Sequence, residues 1–366
     1  MKTYVGIDFG ACNIKAAKIS SQNNRVQHIK LNKQAGGGSA VPNIILYDKV
    51  NDDVEIKVGI PAKNSVDVEN KVWQIKSKLS QRDWKKHIDS LGREITAYEV
   101  VKDTLNWTWQ RIVGQSSKET DFEAVITVPV AFSEVQKNLM RKAALEVGIP
   151  VVAVITEPFA AMFSLEEDLD EVEEAVFLIF DFGGSTLDMS LFRIERDDDD
   201  LTITELAASG LNYGGIDIDK AIFKDIFGTK YQDEVKEILD GNESRLKIEL
   251  MDLIAKMKEN IFIDNEEEVK DMMSDAVGNL HKFELTRDEI LSLFDKVDIK
   301  AKIITLIEEM LDDADVDKEE VTAIKLFGGT SSINYFWKML TEYFGSEVFD
   351  CDDFEIDLDD IYQNAA

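Results

Sequence analysis

Val5-Gly-Ile-Asp-Phe-Gly10 and Leu178-Ile-Phe-Asp-Phe-Gly183 are the two stretches of sequence that decide the fold. Each is a short apolar run that ends on an aspartate, turns through glycine and is followed by a second apolar run. The two aspartates, Asp8 and Asp181, are 173 residues apart in a chain of 366. A repeat at nearly half the chain length is too long for a solenoid, so it predicts two related lobes with a cleft between them. Each lobe should open with the same strand–turn–strand hairpin.

Apolar runs separated by turn residues predict strands along the whole chain. They lie near residues 2–9, 14–19, 43–46, 123–128, 176–181, 189–194, 201–206 and 323–327. Helical patterns occupy the stretches between them. Because strands and helices alternate throughout, the expected fold class is α/β.

Two helix starts are marked by local signals. Ser133 and Gln136 form a capping-box pattern, and Pro158 suits the first turn of a helix that begins near Thr156. The helix after Ser133 should end at Gly148. Its apolar face is predicted to consist of Val135, Leu139, Ala143 and Val147.

The expected domain organisation follows from the repeat. Lobe I should span residues 1–171, with a core of 1–34 and 97–171 and an inserted subdomain of 35–96. Lobe II should span residues 172–366, with a core of 172–213 and 292–366 and an inserted subdomain of 214–291. The second insert has long charged helical patterns and few strand signals.

The charge balance excludes some classes of partner. With 72 acidic and 41 basic residues the formal net charge is −31, which repels nucleic-acid backbones and anionic membrane surfaces. Asp8 would interrupt the apolar core of a signal peptide, and no apolar stretch approaches ~18 residues. A cytoplasmic protein that binds neither nucleic acid nor membranes is therefore expected.

Cysteine and histidine give no sign of a metal centre. Cys12 and Cys351 are too few for a disulfide framework and lack metal-ligand spacing, and Cys12 is expected to be a buried, inert thiol. His28, His87 and His281 lie far apart in polar stretches, so surface positions are expected for all three.

The two hairpins suit Mg²⁺-bound phosphate. Glycine lets backbone N–H groups approach an anion closely, and a carboxylate at the turn suits a hydrated Mg²⁺ ion. Asp8 and Asp181, one from each lobe, are the predicted metal ligands, mostly through water. Two further glycine turns, after residues 213 and 327, have the character of nucleotide-binding turns that lead into helices. The predicted nucleotide-binding residues of the four turns are Gly10, Ala11, Cys12 and Asn13; Gly183, Gly184, Ser185 and Thr186; Gly214, Gly215 and Asp217; and Gly328, Gly329, Thr330 and Ser331.

Seven motifs in register resemble the ATPase domain of the 70-kDa heat-shock chaperone (DnaK) family. They are Gly6-Ile-Asp-Phe-Gly10, Val58-Gly-Ile-Pro-Ala-Lys63, Val128-Pro129, Glu157-Pro158, Phe180-Asp-Phe-Gly-Gly-Ser-Thr186, Gly214-Gly-Ile-Asp217 and Gly328-Gly-Thr-Ser331. The resemblance covers essentially the whole chain. It implies an actin-like ATPase fold with duplicated ribonuclease-H-like cores, ATP or ADP as ligand, and Mg²⁺.

The resemblance also implies roles for individual residues. Lys63 is similar to the family's catalytic lysine, and Glu157 to the glutamate that positions water and the metal shell. Thr186 would contact the γ-phosphate, Asp8 and Asp181 would hold Mg²⁺, and Lys258 would reach the nucleotide. Catalysis is thus assigned to Lys63, Glu157, Asp181 and Thr186.

Departures from the family pattern modify these expectations. Ala11 and Cys12 replace two threonines, which predicts slower hydrolysis because hydroxyl contacts to the β- and γ-phosphates are lost. Glu259 and Ser332 stand where the family has arginines, which weakens adenine stacking. Ala153 replaces an arginine that helps receive the J-domain co-chaperone.

The sequence is compatible with four functions. The first is a slow, Mg²⁺-dependent ATPase in which nucleotide state controls lobe closure and signals to a substrate-binding domain, a nucleotide-exchange factor or a co-chaperone. The second is an actin-like polymerising ATPase, and the third is a sugar or acetate kinase. The fourth is a degenerate member that binds nucleotide without hydrolysing it.

Overall fold

A computed structural model describes residues 2–21, 23–32, 39–51, 53–79, 81, 83–116, 120–169, 172–197, 200–240, 243–346 and 348. Contacts between residues divide the chain into two compact units, the first ending at Ala160 and the second beginning at Ala161. The limits of the two lobes and their inserts stay predictions. Cys351 lies outside the described residues.

The first unit is built on a mixed sheet whose path is β11-β10-β1-β2-β3, with β4 paired to β2. Two smaller sheets, β6-β5-β7 and β8-β9, accompany it. Its strands are β1 (Lys2–Phe9), β2 (Asn13–Ser20), β3 (Asn23–His28), β4 (Val41–Pro42), β5 (Ile44–Val50), β6 (Asp53–Val58), β7 (Lys71–Trp73), β8 (Lys85–Ile88), β9 (Arg93–Thr96), β10 (Asp121–Val128) and β11 (Val151–Thr156).

The helices of this part of the chain are α1 (Ile60–Lys63), α2 (Ile75–Lys78), α3 (Ala97–Val113), α4 (Glu134–Glu146) and α5 (Glu157–Met162), the last of which crosses the division between the units. Helix α3 begins at a capping box between Thr96 and Glu99. The predicted capping box between Ser133 and Gln136 starts α4. Reciprocal bonds of this kind satisfy N–H groups that have no partner inside the helix.

The second unit is built on a four-stranded sheet in the order β14-β13-β12-β17, and β15 pairs with β16 separately. Its strands are β12 (Glu174–Phe182), β13 (Leu187–Asp197), β14 (Asp200–Leu211), β15 (Glu268–Ser274), β16 (Leu280–Thr286) and β17 (Val321–Phe327). Its helices are α6 (Gly215–Ala221), α7 (Gly228–Lys230), α8 (Gln232–Leu239), α9 (Glu243–Ile263), α10 (Arg287–Val297), α11 (Ile299–Ala314) and α12 (Asn334–Phe344). A π-helical segment, Ile222–Phe227, joins α6 to α7.

The two units repeat one pattern of strand pairing. In each, an antiparallel hairpin (β1–β2 or β12–β13) has a parallel neighbour (β10 or β17) beside its first strand. Asp8 lies opposite Lys15, and Asp181 lies opposite Asp188, so both turns close in the same register. The predicted α/β fold class with a duplicated core is therefore confirmed.

Sequence-based assignments of burial were wrong for Val135 and His281. Val135 is 69% exposed, whereas Ala143 of the predicted face is buried, together with Met140 and Ala144. His281 is buried, with its Nε2 atom 3.4 Å from Asp275 Oδ2, whereas a surface position was predicted.

The second insert also contains a hairpin that the sequence pattern did not reveal. Strands β15 and β16 alternate between exposed and half-buried or buried positions, and Val269 and Met273 pack on the core of the second unit. Glu268 and Lys270 are charged on the exposed face of β15 and Asp271 is charged on the half-buried face, so no apolar run marks this strand. Among the described residues, no helix is long and apolar enough to cross a membrane.

Candidate functional site

Asp181, near the end of β12, lies against the glycine turn that follows β17. A Cβ atom at Gly328 would come within 2.5 Å of both Asp181 Oδ1 and the backbone oxygen of Phe182. Gly328 also has φ of 80° and ψ of 140°, a region that is essentially limited to glycine. The backbone after β17 can therefore approach the carboxylate only because residue 328 has no side chain.

The turn after β12 packs on the start of α6, backbone to backbone. The N–H groups of Gly215 and Ile216 donate to the carbonyl oxygens of Gly183 (3.2 Å) and Gly184 (2.8 Å). A Cβ atom at Gly214 would lie 2.5 Å from Gly184 C and Ser185 N. Glycine is thus required at 214 by a close approach between two chain segments.

Thr330 and Lys258 complete the same cluster. Thr330 Oγ1 donates to the carbonyl oxygen of Gly183 (2.8 Å), and Lys258 Nζ donates to that of Gly215 (3.1 Å). A Cβ atom at Gly215 would lie 2.9 Å from Thr330 Oγ1 and 3.2 Å from Lys258 Nζ. Residues far apart in the chain, which the sequence had marked separately, thus meet at the turn that follows Asp181 in the second unit.

Two carboxylates, those of Asp217 and Asp219, form ion pairs with lysines beside these turns. Asp219 Oδ1 lies 2.7 Å from Lys258 Nζ, and both residues are buried. Burial raises the pKa of Asp219, and the Lys258 ammonium opposes that shift. Asp217 accepts from Gly214 N–H (3.1 Å) and pairs with Lys220, so it caps α6.

The outer side of the last turn is open. Gly329 is exposed, and a Cβ atom built there would meet nothing within 4 Å. Ser331 and Ser332 donate to the carbonyl oxygens of Gly328 (2.6 Å) and Gly329 (2.7 Å) and hold the turn in shape. Ser185 and Thr186 are half-buried, and Thr186 O accepts from Gly183 N–H at 2.9 Å. A polar ligand can therefore reach backbone and hydroxyl groups here.

Asp188 is a residue of this region that sequence reasoning missed. It lies opposite Asp181 in the hairpin, is 1% exposed, and its Oδ1 would be 3.3 Å from a Cβ atom at Gly210. The predicted strand began at residue 189, two residues after the start of β13. Extending the hairpin register from Asp181 would have placed both carboxylates on one face of the sheet.

In the first unit, Asp8 and the turn that follows it are held by neighbouring side chains. Asp8 Oδ1 accepts from Thr127 Oγ1 at 2.9 Å. Asn43, which is buried, donates from Nδ2 to Gly10 O and from its N–H to Cys12 O, both at 2.7 Å. Glycine is needed at position 10, where a Cβ atom would lie 2.5 Å from Asn13 O.

The side chains of this first turn differ from the expectation in one respect. Cys12 is exposed, so the prediction of a buried thiol was wrong. The backbone of the turn is fixed by Asn43, which leaves the Cys12 side chain outside the core. Ala11 is half-buried, and Asn13 is exposed.

The two remaining predicted catalytic residues also lie in the first unit. Lys63 is exposed at the end of α1, and the buried Lys71 donates to Lys63 O (3.0 Å) and Ser65 O (2.7 Å). Glu157, the first residue of α5, forms an ion pair with Lys76, which is buried on α2. No motif marks Lys76, because its partner is 81 residues away in the sequence.

Comparison with known proteins agrees with the glycine turns and the duplicated sheets. The sequence model of a family described as Hsp70 protein matches residues 67–353, most of the chain. The chain belongs to the Hsp70 family.

Relatives within Hsp70 are the chaperone proteins DnaK of Thermosipho africanus and Thermosipho melanesiensis, each 29% identical to this chain over 358 residues. DnaK of Thermotoga maritima is 28% identical over 356 residues. Each alignment covers 94% of this chain and 55% of the relative. The chain thus spans about half the length of the curated relatives that it matches.

Proposed function

We propose that this Hsp70-family chain binds ATP and ADP with Mg²⁺ and hydrolyses ATP slowly. The observation that carries the proposal is that three glycine turns, Thr330 and Lys258 meet at the turn that follows Asp181 in the second unit. Glycine turns lack side chains that would keep a phosphate group away from the backbone, as nucleotide sites require. In an Hsp70 family member, the anion that such turns serve is the phosphate chain of a nucleotide.

The carboxylates suit Mg²⁺ that is bound largely through water. Among the described residues no group of three or more His, Cys, Asp or Glu could hold a metal ion. Mg²⁺ at nucleotide sites takes only one or two protein carboxylates and keeps phosphate and water as its other ligands. Asp8 and Asp181 would be those carboxylates, and the ion would offset phosphate charge.

The proposed hydrolytic residues retain suitable chemistry. Lys63 is an exposed ammonium that is able to approach a terminal phosphate, and Glu157 is a carboxylate that can orient a water molecule. Thr186 offers a half-buried hydroxyl beside the turn of the second hairpin. Lys258 would support the nucleotide site indirectly, because its ammonium group donates to the carbonyl oxygen of Gly215 and so holds that glycine turn.

The first hairpin favours low activity. Asn43 fixes the backbone of the turn, but Ala11 and Cys12 contribute no hydroxyl group there. Each missing hydrogen bond to a charged phosphate oxygen is worth about 1.5–3 kcal/mol. A member that binds nucleotide and hardly turns it over is therefore the second candidate function.

Nucleotide state would act on partners by changing how the lobes close. We propose a substrate-binding domain, a nucleotide-exchange factor or a co-chaperone as the recipient of that signal. Ala153, half-buried on the edge strand β11, cannot supply the charge of the arginine that it replaces. Stimulation by a J-domain protein should therefore be weak. We also propose that the chain acts in the cytoplasm.

Steady-state ATP turnover and nucleotide affinity, measured for the wild type, Lys63→Ala and Asp181→Ala, test the proposal. We expect slow Mg²⁺-dependent turnover that either substitution lowers by at least tenfold. Lys85→Ala, an exposed lysine in the same predicted insert, is the control and should change nothing. Turnover that neither substitution affects would refute the site assignment, and tight binding without turnover would favour the second candidate. Sedimentation in the presence of ATP tests the alternative of an actin-like polymerising ATPase, which predicts filaments.

A further inference from the structure

Lys15 lies directly opposite Asp8 in the hairpin that opens the first unit. The register of β1 and β2 pairs the two residues, and side chains of directly opposite residues project from the same face of a sheet. Phe9 and Ile14, the next pair toward the turn, are fully buried in the core of this unit, whereas Asp8 and Lys15 are half-buried. Because successive side chains of a strand alternate between faces, Lys15 lies on the face that is turned away from that core.

The same face leaves space beside the pair of Asp8 and Lys15. Gly6 precedes Asp8 by two residues and is exposed, and a Cβ atom built there would meet nothing within 4 Å. Ala17, which lies opposite Gly6, adds only a methyl group to this face. A ligand can therefore approach the pair from the open side of the sheet.

Thr127 holds the Asp8 carboxylate from the other neighbouring strand. It lies opposite Asp8 on β10, and its Oγ1 donates to Asp8 Oδ1 at 2.9 Å. Because β1 lies between β10 and β2, the carboxylate has a hydroxyl donor on one side and a lysine on the other. Lys15 is therefore the positive charge that the strand pairing places next to Asp8.

The turn of this hairpin needs such a charge in order to bind phosphate. Ala11 and Cys12 offer no hydroxyl group, and the carboxylate of Asp8 repels an anion unless a cation compensates it. The formal net charge of −31 on the whole chain adds to that repulsion. A lysine ammonium group binds phosphate as a point charge, so it can replace the hydroxyl contacts that the turn lacks.

We propose that Lys15 binds the phosphate chain of the nucleotide in place of those missing hydroxyl groups. The inference rests on the proposed function, because it requires a phosphate group beside Asp8. It adds to that site a cationic contact that does not depend on Mg²⁺. Loss of Lys15 should therefore weaken nucleotide binding most when Mg²⁺ is absent, because the ion otherwise supplies positive charge to the same phosphate groups.

The test is titration calorimetry of the full chain with ADP, in EDTA and with Mg²⁺, on the wild type, Lys15→Met, Lys15→Arg and Lys18→Met. Loss of a charge-assisted hydrogen bond to phosphate predicts that Lys15→Met raises the dissociation constant about 10-fold to 100-fold in EDTA. With Mg²⁺ the increase should be smaller than about tenfold. Lys15→Arg keeps the positive charge and should retain most of the affinity.

Lys18→Met is the matched control. Lys18 is half-buried on the same strand, but it lies opposite Val5 and so on the other face of the sheet. Its replacement removes the same charge from the chain without touching the row of Asp8. The dissociation constant for ADP should change less than about twofold, because a charge that is not in contact with the phosphate is screened by salt.

Two further variants, Asp8→Asn and Asp8→Asn/Lys15→Met, distinguish a phosphate contact from simple neutralisation of Asp8. A lysine that only neutralises the carboxylate should lose its influence on ADP binding once the carboxylate is gone, whereas a lysine that contacts phosphate should retain it. In EDTA the double variant should thus bind ADP about 10-fold to 100-fold more weakly than Asp8→Asn. It also leaves no carboxylate without its cation, so it should fold even if Lys15→Met does not. Circular dichroism checks the fold of each variant.

The possible failures are distinguishable. Equal affinities of Asp8→Asn and the double variant in EDTA would overturn the inference, and so would a wild type that binds ADP only when Mg²⁺ is present. In both cases the proposed nucleotide site would stand. A folded wild type that binds no ADP under either condition would instead overturn the proposed function on which the inference rests.

Discussion

Gly328→Ala is expected to destabilise the second unit far more than an ordinary substitution of glycine. The new Cβ atom would lie 2.5 Å from Asp181 Oδ1 and from the backbone oxygen of Phe182. The backbone of Phe182 belongs to β12 in the centre of the sheet, so it cannot move away cheaply.

Two terms contribute to the expected cost. A residue with a side chain at φ of 80° and ψ of 140° costs about 1–3 kcal/mol. Overpacking against fixed atoms adds about 1–3 kcal/mol. The expected total is about 4 kcal/mol, and for a unit of this size that lowers the unfolding temperature by about 8–16 °C.

Gly278→Ala is the matched control for Gly328→Ala. Gly278 lies in the same unit and also has a positive φ of 93°, but a Cβ atom there would meet nothing within 4 Å. Its replacement should cost about 1 kcal/mol from the backbone alone. Thermal unfolding followed by circular dichroism measures both variants. Equal losses of stability would refute the argument that the Gly328 backbone is held against Asp181.

Three further predictions concern other parts of the chain. Ser133→Ala removes the N-cap of α4, and should lower the free energy of unfolding of the first unit by about 1 kcal/mol in urea titrations; an unchanged value would contradict the capping box. Ala11→Thr combined with Cys12→Thr returns two hydroxyl groups to the first hairpin, and should raise kcat at least tenfold in the ATP turnover assay; an unchanged kcat would mean that other groups limit turnover. Asp103 is half-buried, and its Oδ2 accepts from the Tyr47 hydroxyl at 2.9 Å. Loss of solvation raises the pKa of Asp103 above the ordinary value of about 3.9, so the stabilisation present below pH 4 is lost as pH rises through the raised pKa. Asp103→Asn should therefore gain stability relative to the wild type between pH 4 and pH 7 in thermal unfolding, and a constant difference would contradict the shift.

Local patterns predicted the parts of the fold that local interactions determine. The hairpins at Asp8 and Asp181 depend on an apolar run and a glycine turn, and the helix start at Ser133 depends on one hydrogen-bonded pair three residues apart. Each of these signals lies within about ten residues of sequence. They were sufficient for the fold class and for the four glycine turns.

Features that depend on distant packing could not be predicted in this way. Val135 has the right spacing for an apolar face, but the position of α4 against its neighbours selects Met140 instead. Strand β15 has charged residues on both faces, and Met272 is apolar but exposed, so neither alternation nor an apolar run predicts this strand. Lys76 meets Glu157 only after the chain has folded.

Burial was the least predictable property of individual polar residues. His281 lies in a polar stretch, but Asp275 at the other end of the hairpin turn approaches its ring to 3.4 Å and the side chain is buried. Cys12 was predicted to be buried, but its side chain is exposed. Asn43 fixes the backbone of the turn, and in that conformation the thiol lies outside the core. In both cases the deciding contacts come from residues that the sequence pattern does not single out.

Titration calorimetry of the full chain with ATP, in the presence and absence of Mg²⁺, tests the nucleotide site most directly. The glycine turns around Asp181 predict one nucleotide bound per chain, more tightly with Mg²⁺ than without it. Gly215→Val places a larger side chain where a Cβ atom alone would be 2.9 Å from Thr330 Oγ1, so it should weaken binding at least tenfold. A folded wild-type protein that binds no nucleotide at millimolar ATP with Mg²⁺ would contradict the central claim.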